Sequence, residues 1–142
     1  MIRIQNDLVL KGSAQWFVIV VTLFAALGLG FFAVLGLVDP GALVPGGDTE
    51  AARQFASYLG PRNLALGGAA VLLLALRHWR ALGLVLVLMA LVQAGDAILG
   101  AIRQEALQTI SPAVIAMALL SAAAMIRRGD AAVAPEVAAA RS

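Results

Sequence analysis

Apolar residues along this chain do not alternate with polar ones at a strand period; they gather into four long blocks separated by short polar stretches. The first block, Ala14 to Val38, runs 25 residues without a charge, more than the roughly 20 an α-helix needs to cross a hydrocarbon core. Arg3 and Lys11 precede it, as basic residues precede a signal sequence. A signal's apolar region is only about 7–15 residues long, so the block is expected to be a retained helix. Asp39 to Glu50 reads as a loop, because Asp39-Pro40-Gly41 and Pro45-Gly46-Gly47-Asp48 are dense in turn formers. A short interfacial helix over Ala51–Tyr58, capped by Thr49 or Asp48, is expected next. Gly60-Pro61 then breaks the chain and opens the second span, about residues 59–77, which ends on Arg77-His78-Trp79-Arg80.

The third span, residues 81–102, is apolar except for Gln93 and Asp96. The fourth, residues 111–127, opens on Ser111-Pro112, a cap residue followed by proline in the first turn. Residues 129–142 hold alanines, one proline and isolated charges and are predicted to be a disordered cytoplasmic tail. The expected fold is all-α: an integral membrane four-helix bundle filling residues 1–128.

Composition agrees with this pattern. The 142 residues are 62% hydrophobic and 13% charged, against about 45–50% and about 25% in soluble domains. Four apolar blocks in so short a chain leave too little polar surface for a soluble bundle. Orientation follows from the cations. With the N-terminus inside, Arg3, Lys11, Arg77, Arg80, Arg127, Arg128 and Arg141 are cytoplasmic, whereas Arg53, Arg62 and Arg103 face the other side. That bias predicts an N-in, C-in protein of a cell membrane, a bacterial inner membrane first of all. Trp16 and Trp79 are expected to anchor at the membrane–water interfaces.

Several chemistries are excluded. Cysteine is absent, which rules out disulfides, thiol nucleophiles and thiolate metal sites. His78 is the single histidine and has no close acidic companion in sequence, so no metal site and no cofactor are expected. The basic residues flank apolar blocks instead of forming a stripe interleaved with aromatics, which argues against nucleic acid. The partners left are the lipid bilayer, a lipophilic ligand, and a membrane protein or second copy of this chain. Small residues offer close helix approach: Ala26 and Gly30 in span one, with Gly28 and Gly36 nearby; Ala65 and Ala69 with the adjacent Gly67 and Gly68 in span two; and Ala118 and Ala122, followed by Ala123 and Ala124, in span four. They read as packing faces, or as a homodimer seam.

Two ionisable residues in the apolar blocks need an explanation, Arg62 and Asp96. A charge at the bilayer centre costs about 2.5–3.5 kcal/mol even on the lenient insertion scale. Arg62 lies 14 residues before Leu76 and Asp96 lies 15 after Ala81, depths of roughly 21 and 22 Å at about 1.5 Å per residue. Spans two and three are antiparallel neighbours, so the two side chains are expected to meet near the outer leaflet. Gln93 stands one turn below Asp96, and Asn63 and Tyr58 add donors beside Arg62. Together the five could line a small polar pocket. The alternatives are a structural clasp that fixes helix register, and an Arg62 that merely snorkels to the headgroups.

The run Gly60-Pro61-Arg62-Asn63-Leu64-Ala65-Leu66-Gly67, followed about thirty residues later by Gly95-Asp96, resembles a domain-of-unknown-function family of small four-span membrane proteins. That family is found in bacteria and fungi and is distantly similar to DoxX-like proteins. The resemblance covers most of the chain. It implies the fold and the membrane location and singles out Arg62 and Asp96, but carries no established activity. Three functions are then in competition. The first is a bundle that holds a lipophilic molecule or a membrane partner at the pocket. The second is a small isomerase- or cyclase-type enzyme with Asp96 as acid/base and Arg62 beside it. A neighbouring arginine favours the carboxylate form, which weighs against a proton donor unless the pair separates. The third, a transporter component, lacks support from any internal repeat or pair of broken helices.

Overall fold

The computed structural model describes residues 12–42, 47 and 49–139, with side chains to residue 129. The chain forms four long helices: α1 Ser13–Val38, α2 Glu50–Ala75, α3 Trp79–Ile102 and α4 Ala106–Ala139. One 3₁₀ turn, Pro40–Ala42, follows α1, where Asp39 Oδ1 accepts the Ala42 backbone N–H at 3.3 Å. Each of the four helices carries a segment long and apolar enough to cross a membrane, in α4 the stretch Ala106–Gly129. The strong seams join α1 to α2 and α3 to α4, giving two antiparallel hairpins; thinner α2–α3 and α1–α4 seams close the ring.

Hydroxyls inside the spans are satisfied within their own helices, as a medium without water requires. Buried Thr22 donates to the Val18 carbonyl at 2.7 Å, and Ser121 donates to the Met117 carbonyl at 2.8 Å.

Both short turns between helices are built the same way. After α2, Arg77 takes φ 56°, its N–H reaches the Leu74 carbonyl, and the His78 N–H reaches that of Leu73. After α3, Gln104 takes φ 59°, bonding Ala101, while Glu105 bonds Gly100. These are Schellman closures, which satisfy the last carbonyls of each helix. A left-handed conformation costs a residue with a side chain about 1–2 kcal/mol, and here arginine and glutamine bear it.

Three boundary expectations are corrected. No break occurs at Gly60-Pro61: α2 is one helix from Glu50 to Ala75, with Pro61 inside it. The separate interfacial helix over 51–58 is therefore the first part of α2, and Thr49 is its cap, accepting the Ala52 N–H at 3.3 Å. Secondly, α4 starts at Ala106, so Ser111-Pro112 lies in its second turn and does not open it. An internal proline removes one hydrogen bond and leaves the carbonyl four residues back without its donor, here Ser57 and Gln108. Membrane helices tolerate this because neighbouring groups absorb the local disturbance. Thirdly, α4 continues to Ala139, through most of the segment 129–142 expected to be disordered. Alanine, the best helix former, dominates that stretch.

The packed core gathers at the end of the bundle that holds the α2–α3 turn. Val18 and Ala25 of α1, Ala70 of α2, Trp79, Leu82, Leu86, Met89 and Ala90 of α3, and Leu119, Ala122, Ala123 and Ile126 of α4 form one buried cluster. Trp79 is 7% exposed, so it is a core residue and not an interface anchor; as the first residue of α3 its ring packs inward. Trp16, at 68% exposure, stays on the outside.

Candidate functional site

The opposite end of the bundle is built differently. There the hairpins hold together through glycines: a β-carbon on Gly60 of α2 would come 2.9 Å from the Leu37 side chain of α1. One on Gly100 of α3 would lie 2.5 Å from the Gln108 carbonyl oxygen of α4. The Gln108 carbonyl is the one that Pro112 leaves without its helical donor, so the α3 backbone presses against a group freed for another contact. Nearer the middle of the bundle a β-carbon on Gly67 would come 3.3 Å from the Ala26 carbonyl oxygen; of the small residues expected on α2, Gly67 is thus the one in close contact, while Ala65 is exposed and Ala69 half-buried. Each hairpin is thus tight within itself at this end, while buried residues joining α2 to α3 are concentrated near their turn.

Arg62 and Asp96 stand on the α2 and α3 sides of that seam. Asp96 lies within electrostatic reach of Arg62, without the direct contact that the depth count led one to expect. Both are exposed, meaning not covered by protein. Among the described residues, no hydrogen bond or contact ion pair joins Arg62, Asp96, Asn63, Gln93 and Tyr58. Asn63 and Gln93 are half-buried. Tyr58, one turn before Arg62 on the same α2 face, is 72% exposed. The expected closed clasp is therefore an open arrangement: a guanidinium and a carboxylate facing the same seam, flanked by two carboxamides.

The chemistry available is hydrogen bonding of both senses at hydrocarbon depth. Arg62 offers donors in a planar fork, Asp96 accepts, and each carboxamide does both. Among the described residues, no three of His, Cys, Asp and Glu converge as metal ligands would. The openness of the site is what sequence reading missed. The Gly100 contact had a readable trace, since the glycine and Pro112 flank a short turn.

The model of a protein family described as a domain of unknown function (DUF4267) matches residues 17–126. The match spans from the first turns of α1 to Ile126 of α4 and includes Arg62 and Asp96. No curated protein and no solved structure matches the chain.

Proposed function

We propose, from the premise that this chain belongs to the DUF4267 family, that it is a multi-pass membrane protein that holds a lipophilic small molecule. The polar groups Arg62, Asn63, Gln93, Asp96 and Tyr58 engage the molecule's head while its apolar body lies along the seam between hairpins. One observation supports this reading: Asp96 lies within electrostatic reach of Arg62, yet neither is covered by protein. Uncovered charges inside an apolar span are costly, and a bound polar head is the occupant that offsets the cost. The cation-rich end, with Arg77, Arg80, Arg127 and Arg128, is the cytoplasmic one in this reading. That gives N-in, C-in topology in a cell membrane, and a bacterial inner membrane suits it. Arg3, Lys11 and Arg141, which share in that orientation, lie outside the described residues.

An enzymatic second reading uses Asp96 as acid/base on a bound lipophile, as an isomerase or cyclase would. Its support is the missing contact between the pair, since a carboxylate not locked to its arginine is free to exchange a proton.

The test is mass spectrometry of small molecules retained by gently purified protein, with Asp96→Asn purified alongside. A defined lipophile on the parent protein, lost from a variant with unchanged helix content, is the expected result. Bulk lipid alone on both would overturn the reading and leave Arg62 and Asp96 as a helix-register device. The enzymatic reading requires in addition that the retained compound is converted, and that conversion stops with Asp96→Asn while binding persists.

A further inference from the structure

The two ends of the bundle differ in charge. At the end holding the α2–α3 turn, Arg77, Arg80, Arg127 and Arg128 are all exposed. They stand together because α3 and α4 meet there: a β-carbon on Gly83 would touch Ile126 at 3.5 Å. Arg80 therefore sits near the level of Arg127 and Arg128, and Arg77 stands in the turn just before α3. At the other end Asp39, Glu50 and Glu105 are interspersed with Arg53 and Arg103, so the cations there have acidic neighbours along the chain.

The depth of the basic group matters as much as its sign. α2 ends at Ala75, α3 begins at Trp79, and the membrane-crossing stretch of α4 ends at Gly129. All four arginines are thus placed where apolar spans give way to water, at the height of lipid phosphates. Arg77 is held there by the hydrogen-bonded turn, the His78 N–H meeting the Leu73 carbonyl at 2.9 Å. Trp79 fills the interior directly behind, 7% exposed, so the platform under the cations is packed. A rigid, arginine-bearing platform at this height suits bidentate recognition of phosphate.

We infer that the exposed arginines Arg77, Arg80, Arg127 and Arg128, set at the end of the α3–α4 pair, form a binding site for the phosphate headgroup of anionic phospholipids. The site is separate from the Arg62–Asp96 seam, at the opposite end of the same helices, and does not depend on what that seam holds. A basic residue near an anionic surface contributes about a fivefold gain in partition each. Two of them removed together are expected to weaken retention about thirtyfold at low salt.

The experiment titrates phosphatidylglycerol, against phosphatidylcholine as the neutral control, into the full chain in detergent micelles and counts bound lipid by native mass spectrometry. Arg127→Gln with Arg128→Gln is compared with a charge-matched variant, Arg53→Gln with Arg103→Gln, which removes two cations from the other end. Expected is selective retention of phosphatidylglycerol by the parent protein and by the Arg53/Arg103 variant, with about a thirtyfold weakening for Arg127/Arg128. Equal losses in the two variants would mean that net charge alone acts, and no preference for phosphatidylglycerol in the parent would mean no site; either overturns the inference. Unchanged helix content and gel-filtration behaviour verify that each variant is folded. Should the Arg127/Arg128 variant fail that check, Arg77→Gln with Arg80→Gln replaces it, and the same two outcomes overturn the inference.

Discussion

The two ends of this bundle solve the same packing problem with different residues. Near the α2–α3 turn, Leu82, Leu86, Leu119, Ile126 and Val18 are buried to 2% exposure or less and fill the space among the helices. Toward the α3–α4 turn, the helices approach closely at Gly60 and Gly100, pairwise within each hairpin. Lipid tails are as apolar as a leucine, so burial alone does not hold membrane helices together; close van der Waals contact does. Large interlocking side chains bind four helices into one body. Glycine contacts bind two at a time, and they leave the seam between the pairs open to polar groups. The tight end is filled by interlocking side chains, and the open end leaves Arg62 and Asp96 uncovered by protein.

The comparison can be broken at its strongest point first. Leu119→Ala, within the packed end, is expected to cost about 2–5 kcal/mol, whereas Leu99→Ala on the 54% exposed face of α3 is expected to change little. Reversible unfolding in mixed micelles measures both; equal losses would erase the distinction between packed and lipid-facing leucines. Next comes Gly100→Ala, whose new methyl would overlap the Gln108 backbone and is expected to cost about 1–3 kcal/mol. Its control is Gly95→Ala, where nothing lies within 4 Å and the gain in helix propensity should leave stability level or raised.

Smaller still is Asp96→Asn. Because the carboxylate makes no direct bond to another side chain, unfolding should shift by less than about 1 kcal/mol, while retention of a lipophilic ligand is lost. A loss of several kcal/mol would return Asp96 to the role of a clasp. The smallest change expected is a gain: Gln104→Gly relieves a left-handed residue and should stabilise by about 0.5 kcal/mol once the added freedom of the unfolded chain is subtracted. A measured loss there would mean that the glutamine side chain has a bonding role that outweighs its backbone strain.

The four spans were legible because a run of some twenty apolar residues has one economical use, and the family match over residues 17–126 agrees with a small membrane protein. The electrostatic proximity of Arg62 to Asp96 is consistent with equal rises from a tight turn, but the direct pair expected from them does not form. Proline misled at both ends. At Pro61 and Pro112 the rule that proline stops a helix assumes water as the competitor for the freed carbonyl, and inside a span there is none. Trp79 misled for a related reason. Its place in the sequence marks an interface, but which way a first-turn side chain points is decided by neighbours thirty to fifty residues away. The open seam was illegible, because glycine contacts that draw α2 to α1 and α3 to α4 are visible only once the helices are paired.

The ring of seams carries a consequence for the order in which the molecule is made. Three of the four, α1–α2, α2–α3 and α3–α4, join helices that are consecutive in the chain. Each can form as soon as its second member leaves the ribosome and enters the bilayer, with little chain to close. The two seams made by α4 have to wait for that last of the four helices, and of these the α1–α4 seam has the longest stretch of chain to close. Until then Val18 and Ala25 have no α4 to meet, and the interior stays accessible to lipid. Arrival of Leu119, Ala122 and Ile126 is then the keystone step, and a chain stalled before α4 would remain an unlocked row of three helices for the membrane's quality control to find.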